Sequence, residues 1–262
     1  MRAVWAIAST TVGEAIRRKV LLIILLIGVI FMVVAPGLGV LSARQETTVL
    51  QGMMLGIIQL TSAVIAIVLT VYMIPNEIER RTIYTILSKP VQRWQFLVGK
   101  YLGAVLALGL MMSLMTAVLV FVYSLQQGFD PQTIGRLVQG PAMFFIQMSL
   151  LAAVAIFFST FVSPLVNFFL AGGAYLVGTL FNPFFDTLAK SQSTPQVAKV
   201  AAQVVNVLLP NFANYNVQNP LINPGSTISN PSTYYLMTTA YGLVYIVALL
   251  VAGMIIFERR EV

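Results

Sequence analysis

Two residue types are missing from this 262-residue chain altogether, cysteine and histidine. Without cysteine there are no disulfides, no thiolate metal sites and no thiol nucleophile. Without histidine the commonest general base and metal ligand is gone as well. Charge is scarce: Asp, Glu, Lys and Arg make up 9% of the residues against 58% hydrophobic ones, where a soluble domain carries about 25% charged residues. A water-soluble core is excluded by that balance.

The charges fall in short clusters separated by apolar runs of roughly 20 residues, the length an α-helix needs to cross a bilayer. The chain therefore reads as an all-α membrane protein with six transmembrane helices, at about 20–40, 52–74, 96–123, 142–161, 165–185 and 231–257. Between spans three and four, the turn-rich Gln126-Gln127-Gly128-Phe129-Asp130-Pro131 leads through Arg136 to Gly140-Pro141. Spans four and five, joined at Ser163-Pro164, form an antiparallel hairpin. Asn230-Pro231 supplies an N-cap and N1 pair for the last span.

Residues 1–19 carry Val4, Ile7, Ala8, Val12, Ala15 and Ile16 at helical spacing, an amphipathic helix for the interface. The first span is too long for a signal-peptide core, so it is expected to stay in the membrane. Residues 186–230 turn polar and rich in Asn, Pro and Ser, except that Val197, Val200, Val204, Val207 and Leu208 repeat at helical spacing. That repeat predicts an amphipathic helix over 195–209, lying against the membrane or the bundle surface.

The net charge of +7 does not point to nucleic acid, because the cations sit beside hydrophobic spans, where the positive-inside bias accounts for them. Arg2, Arg17, Arg18, Lys19, Arg80, Arg81, Lys89, Arg93, Lys100, Arg259 and Arg260 lie on the side of the N-terminus; Arg44, Arg136, Lys190 and Lys199 lie on the other. Eleven against four predicts cytoplasmic termini and an external 186–230 segment.

With Lys100 counted among those flanking cations, the six apolar stretches hold no Asp, Glu, Lys, Arg or His. A proton-driven transporter needs ionisable groups at membrane depth, and an intramembrane enzyme needs a nucleophile and base or metal ligands there. Neither is encoded; sodium coupling through backbone carbonyls stays open but needs broken helices, and the candidate breakers mostly lie at span ends. If transport is active and not sodium-driven, its work must reach the chain through a surface that another protein can push. A passive channel or a membrane scaffold without a motor is the alternative, although no ring of charge marks a pore.

The loop over 76–95 is the candidate surface. Ile78, Ile83, Ile86 and Leu87 fall on one side of a short helix, Glu77 and Arg81 form an i,i+4 pair, and Pro90 ends it. Glu77, Glu79, Arg80, Arg81 and Arg93 are candidates for a partner contact or for gate-locking ion pairs; the alternative is a solvated charged face. Gly99-Lys100 is not a P-loop, since Trp94 stands where the first Gly belongs and Tyr101 where Ser or Thr would follow the Lys.

The run Glu79-x-x-Thr82-x-x-x-Ile86-Leu87-Ser88-x-Pro90-x-x-Arg93-x-x-Phe96-x-x-Gly99-Lys100 resembles the cytoplasmic signature of ABC-2-type permeases, the membrane subunits of ATP-binding-cassette exporters. Glu14-x-x-Arg17-Arg18-Lys19 and the ending Phe257-Glu258-Arg259-Arg260-Glu261-Val262 are similar to that family's ends. The resemblance implies a single permease domain over 1–262, with an elbow helix at 1–19 that includes Glu14, Arg17 and Arg18, and a coupling segment at 76–95. It implies that Thr82, Tyr84, Leu87 and Pro90 join the charged residues in contacting a separate ABC ATPase, which binds ATP and Mg; this chain would bind no cofactor of its own. It further implies export across the cell membrane by two ATPases and two permeases, the second being an identical copy or a paralogue. Its family's external helices lie near the exit, where 195–209 falls here.

Gln59, Thr61, Ser62, Thr70, Ser113, Thr116, Gln147, Ser149 and Asn167 are polar residues inside spans. Gln59, Thr70, Gln147 and Asn167 are the candidates for lining a path, and joining helices is the commoner use of such side chains. Gly172, Gly173 and Gly178 permit close packing or a break in span five.

Overall fold

In a computed structural model, residues 2–39, 46–79, 92–181, 188, 195–216 and 230–259 are described. Every regular element among them is helical: α1 (Arg2–Arg17), α2 (Lys19–Gly39), α3 (Glu46–Val71), α4 (Met73–Glu79), α5 (Arg93–Gln127), α6 (Pro131–Ser159), α7 (Pro164–Leu176, continued by a π-helical turn Val177–Phe181), α8 (Gln196–Leu208) and α9 (Pro231–Arg259). Six of these helices are long and apolar enough to cross a membrane: α2, α3, α5, α6, α7 with its π turn, and α9.

The spans alternate in direction, so the start of α5 meets the end of α9 through Arg93 and Phe257, and the start of α3 meets the end of α5 through Gln51 and Tyr123. We call the first of these the terminal face and the second the distal face. α3 and α6 are the most buried spans and form the centre, whereas α2, α7 and α9 turn most of their surface outward. Outward-facing Leu22, Leu26, Phe31, Leu165, Phe169, Leu180, Leu243 and Val247 are the side chains a hydrocarbon solvent would take.

A midplane follows from packing. Gly28 is the middle residue of the apolar stretch Lys19–Gly37, and a Cβ there would stand 2.8 Å from Thr61 and 3.0 Å from the Met115 methyl. Gly28, Thr61 and Met115 therefore share one level. With 35 residues, α5 is about 52 Å long and overshoots a core of about 30 Å.

One boundary differs from the sequence reading. Gly140-Pro141 does not precede span four but lies within α6, which starts at Pro131 and is capped by Asp130, whose carboxylate accepts from the backbone of Gln132 and Thr133. Pro at the first helical position and Asp before it are a strong start signal. Packing carries the helix past Pro141, since Leu137, Gly140 and Pro141 are all buried; neighbouring helices make an interior proline tolerable in a membrane. Elsewhere the spans extend by a few residues beyond the apolar runs, and α8 lies where the valine repeat placed it, without extended packing along any span among the described residues.

Candidate functional site

At the terminal face, α1 lies against the first half of α5. The contact is made by Gly99 and Gly103, a small-xxx-small spacing that lets helices approach closely. A Cβ on Gly103 would come within 2.5 Å of Thr11 Cβ and 2.8 Å of the Ala8 carbonyl; one on Gly99 would come within 2.8 Å of Ile7 Cβ. Ala8, Thr11 and Ala15 are buried in this contact face of α1.

Lys100 follows Gly99 and gathers three helices. Its Nζ donates to Glu77 Oε1 of α4 at 2.6 Å and stands 3.6 Å from Glu14 Oε2 of α1. The lysine is 3% exposed, the Glu77 side chain 16% and the Glu14 side chain 54%. A desolvated ammonium is stable only when paired, and Glu77 supplies the close partner. Lys100 stands fifteen positions before Met115 in α5, about 22 Å from the midplane at 1.5 Å per residue. That is beyond the hydrocarbon half-thickness of about 15 Å, so the residue belongs to the interfacial layer.

Arg93 forms the second tie on this face. Its Nη1 donates to the carbonyls of Phe257 at 3.0 Å and Glu258 at 3.2 Å, and Phe96 stacks on Phe257 with ring centroids 6.2 Å apart. A cation on the last carbonyls of α9 satisfies acceptors that the helix leaves open.

Of the residues singled out from sequence, Glu14, Glu77 and Arg93 join these contacts, whereas Arg17 is exposed at the end of α1 and Arg18 lies between α1 and α2. Glu79 is the last residue of α4. Arg80, Arg81, Thr82, Tyr84, Leu87 and Pro90 lie outside the described residues. Lys100 was the residue missed as a site; a lone lysine between two glycines in an apolar run was its signal.

The second cluster is neutral and close to the midplane. Gln59 Nε2 donates to Gln147 Oε1 at 3.2 Å, Gln147 Nε2 donates to the Phe212 carbonyl at 2.8 Å, and Asn216 Nδ2 donates to Gln59 Oε1 at 2.8 Å. All three amides are buried. They fasten the segment 209–216 to α3 and α6 in the distal half of the bundle. The Phe212 N–H donates to the Gly178 carbonyl, Tyr215 donates to the Thr238 carbonyl, Tyr234 donates to the Asn214 carbonyl, and Tyr241 accepts from the Asn211 N–H. Gly178 and Gly242 make room: a Cβ would come within 2.6 Å of Phe212 and Pro210 at the first and 2.5 Å of the Tyr215 hydroxyl at the second. The segment is thus re-entrant, folded back between α3, α6, α7 and α9.

The other two candidates for a path are also buried. Thr70 donates to the Ala66 carbonyl at 2.6 Å, and Asn167 donates to the Ala155 carbonyl at 2.9 Å, tying α7 to α6. No group of three or more Asp or Glu that could hold a metal occurs among the described residues.

A six-span helical membrane protein, with charged ties on one face and a re-entrant segment on the other, is the class of molecule these features define. Residues 5–262 match the family described as ABC-2 family transporter protein, and the chain belongs to that family. It is therefore a multi-pass permease of the ABC transporter kind. Permeases of this family do not themselves hydrolyse ATP and in general work with an ABC ATPase. None of the curated proteins compared with the chain matches it.

Proposed function

We propose that this chain is the membrane subunit of an ATP-driven exporter, in which a separate ABC ATPase docks on residues 76–95 and its movement opens the distal face. The observation that carries the reading is that one continuous piece of chain links the two clusters. α3 bears Gln59, the hub of the amide network, and passes through the single turn residue Tyr72 into α4, which bears Glu77. A push on α4 shifts α3 along its axis, and Lys100 carries the same push to α5 and α1. Neutral amide bonds are suited to reversible release, because each contributes only about 0.6 kcal/mol in a membrane interior.

In this scheme the terminal face, with both termini, is cytoplasmic, in line with the lysine and arginine bias. ATP and Mg reside on the ATPase, and two permeases with two ATPases make the unit in the cell membrane. Co-purification tests it. Expressed with its genomic neighbours, the wild-type chain recovers a stoichiometric ATPase, and Glu79→Ala combined with Arg81→Ala releases that subunit or uncouples its activity. If no ATPase is recovered in detergent or in nanodiscs, the motor reading fails.

A further inference from the structure

At the distal face α3 and α6 begin side by side. Between their first three turns lies a cavity of about 240 Å³ lined by Gln51, Leu55, Thr133, Arg136 and Leu137. Its apolar floor is Leu55 and Leu137, both buried. Arg136 is exposed and lines this cavity, and among the described residues nothing accepts a hydrogen bond from its guanidinium. The nearby carboxylate, Asp130, is committed to Thr133 and to the first amides of its own helix, and Arg136 reaches it only through space. The Gln51 amide is held in place by donating to Tyr123 at 3.1 Å.

Depth narrows the ligand. Gln51 is ten positions distal of Thr61 in α3, which places it about 15 Å from the midplane, and Arg136 is eleven positions distal of Gln147 in α6, which adds about 16 Å to the level of the amide network. Both estimates fall at the boundary of the hydrocarbon core, within side-chain reach of the headgroup layer that holds phospholipid phosphates.

A second cavity, of about 380 Å³, lies deeper along α6, on its α5 side, and shares no lining residue with the first. Val138, Pro141 and Phe145 form one wall, and Gly109, Ser113 and Thr116 of α5 form the other. The two hydroxyls do not make it polar, because Ser113 donates to the Leu110 carbonyl and Thr116 to the Met112 carbonyl, each at 2.8 Å. Gly109 and Pro141, neither with a long side chain, leave the groove open. Its α5 wall runs from Thr116, next to Met115 at the midplane, to Gly109, about 9 Å toward the terminal face, all at acyl-chain depth.

We propose that the first cavity takes the phosphate of an anionic phospholipid of the distal leaflet, on Arg136 and the free N–H of the Gln51 amide, while one acyl chain passes around α6 into the groove between α5 and α6. The site takes its selectivity from a single guanidinium at headgroup depth, and its retention from the groove.

Native mass spectrometry of the purified chain with phosphatidylglycerol, phosphatidylcholine or inorganic phosphate tests this. Wild type retains phosphatidylglycerol over phosphatidylcholine by about fivefold to tenfold, the contribution of one cation near a charged headgroup. Arg136→Gln removes that preference and Arg136→Lys keeps most of it. Gly109→Leu, which fills the groove, weakens both lipids without changing their ratio. Unchanged preference in Arg136→Gln overturns the proposal, and so does a wild type that holds both lipids equally. Inorganic phosphate displacing the lipid at equal concentration would make this a free-anion site and overturn the lipid assignment.

Discussion

Lys100 and Glu77, which sit on helices α5 and α4, hold one another at 2.6 Å while Lys100 is 3% exposed. Glu14 stands 3.6 Å from the same ammonium but is half in solvent. One cation thus carries two unequal partners, and the inequality separates what each mutation does.

Lys100→Met leaves Glu77 without its close partner in an enclosed site and costs about 3 kcal/mol. Glu14→Gln removes a partly hydrated, longer contact and costs less than about 1 kcal/mol. Combining Lys100→Met with Glu77→Gln recovers part of the first loss, since no carboxylate charge then remains at position 77 in the enclosed site. Thermal unfolding of the three variants in one detergent checks the order; equal midpoints for Lys100→Met and Glu14→Gln would show that the pair does not hold α4.

The glycine contact predicts an effect in the opposite sense from an ordinary helix substitution. Gly103→Val forces a side chain into Thr11 and the Ala8 carbonyl, so it costs about 1–3 kcal/mol through overpacking. Gly13, on the same α1, has nothing within 4 Å of a Cβ, and Gly13→Ala gains up to about 1 kcal/mol of helix propensity. Unfolding midpoints that move in opposite directions confirm that α1 is seated on α5; a neutral Gly103→Val sinks it.

The six spans were legible because bilayer thickness fixes a run length that composition alone reveals. The start of α6 was not, because Gln132 to Gln139 mixes Gln, Thr, Gly and Arg with only three aliphatic residues and ends before Gly140-Pro141; only the Asp130-Pro131 cap and burial around Leu137 show otherwise. Gln59 and Gln147 stood out as polar residues inside spans, yet Asn216, the partner of Gln59, is 157 residues away and Phe212, the partner of Gln147, is 65 away, both in a segment without periodicity. Which residue answers a buried amide is set by tertiary packing, and a single sequence carries no record of it. Lys100 was hidden for a related reason: its role depends on α1 crossing the two glycines beside it.

The re-entrant segment gives a labelling prediction. The chain has no cysteine, so Ala213→Cys is a unique reporter within the segment, next to Phe212. In the parent it reacts slowly with a membrane-impermeant maleimide. Adding Gln147→Leu leaves the Phe212 carbonyl and the Gln59 amide without their partner, and removes about 0.6 kcal/mol for each of two bonds, so labelling rises several-fold. Unchanged labelling would mean that the amide network does not hold the segment down.

Asp130 caps α6 outside the membrane span, and its carboxyl is held below its ordinary value of 3.8, first by the Thr133 hydroxyl and then by the backbone amides of Thr133 and Gln132. A folded-state value lower than the unfolded one means that the cap contributes fully above the unfolded value and fades as pH falls through the folded one. The first turn of α6 should therefore be as protected at pH 5 as at pH 7 and lose protection below about pH 4. Hydrogen exchange of a peptide covering Gln132 to Leu137, corrected for intrinsic rates, measures it. Asp130→Asn keeps a capping side chain that does not titrate, so its protection stays flat across that window, whereas Asp130→Ala is poorly protected at every pH. A wild-type profile as flat as that of Asp130→Asn would show that the carboxylate's charge plays no part in starting the helix.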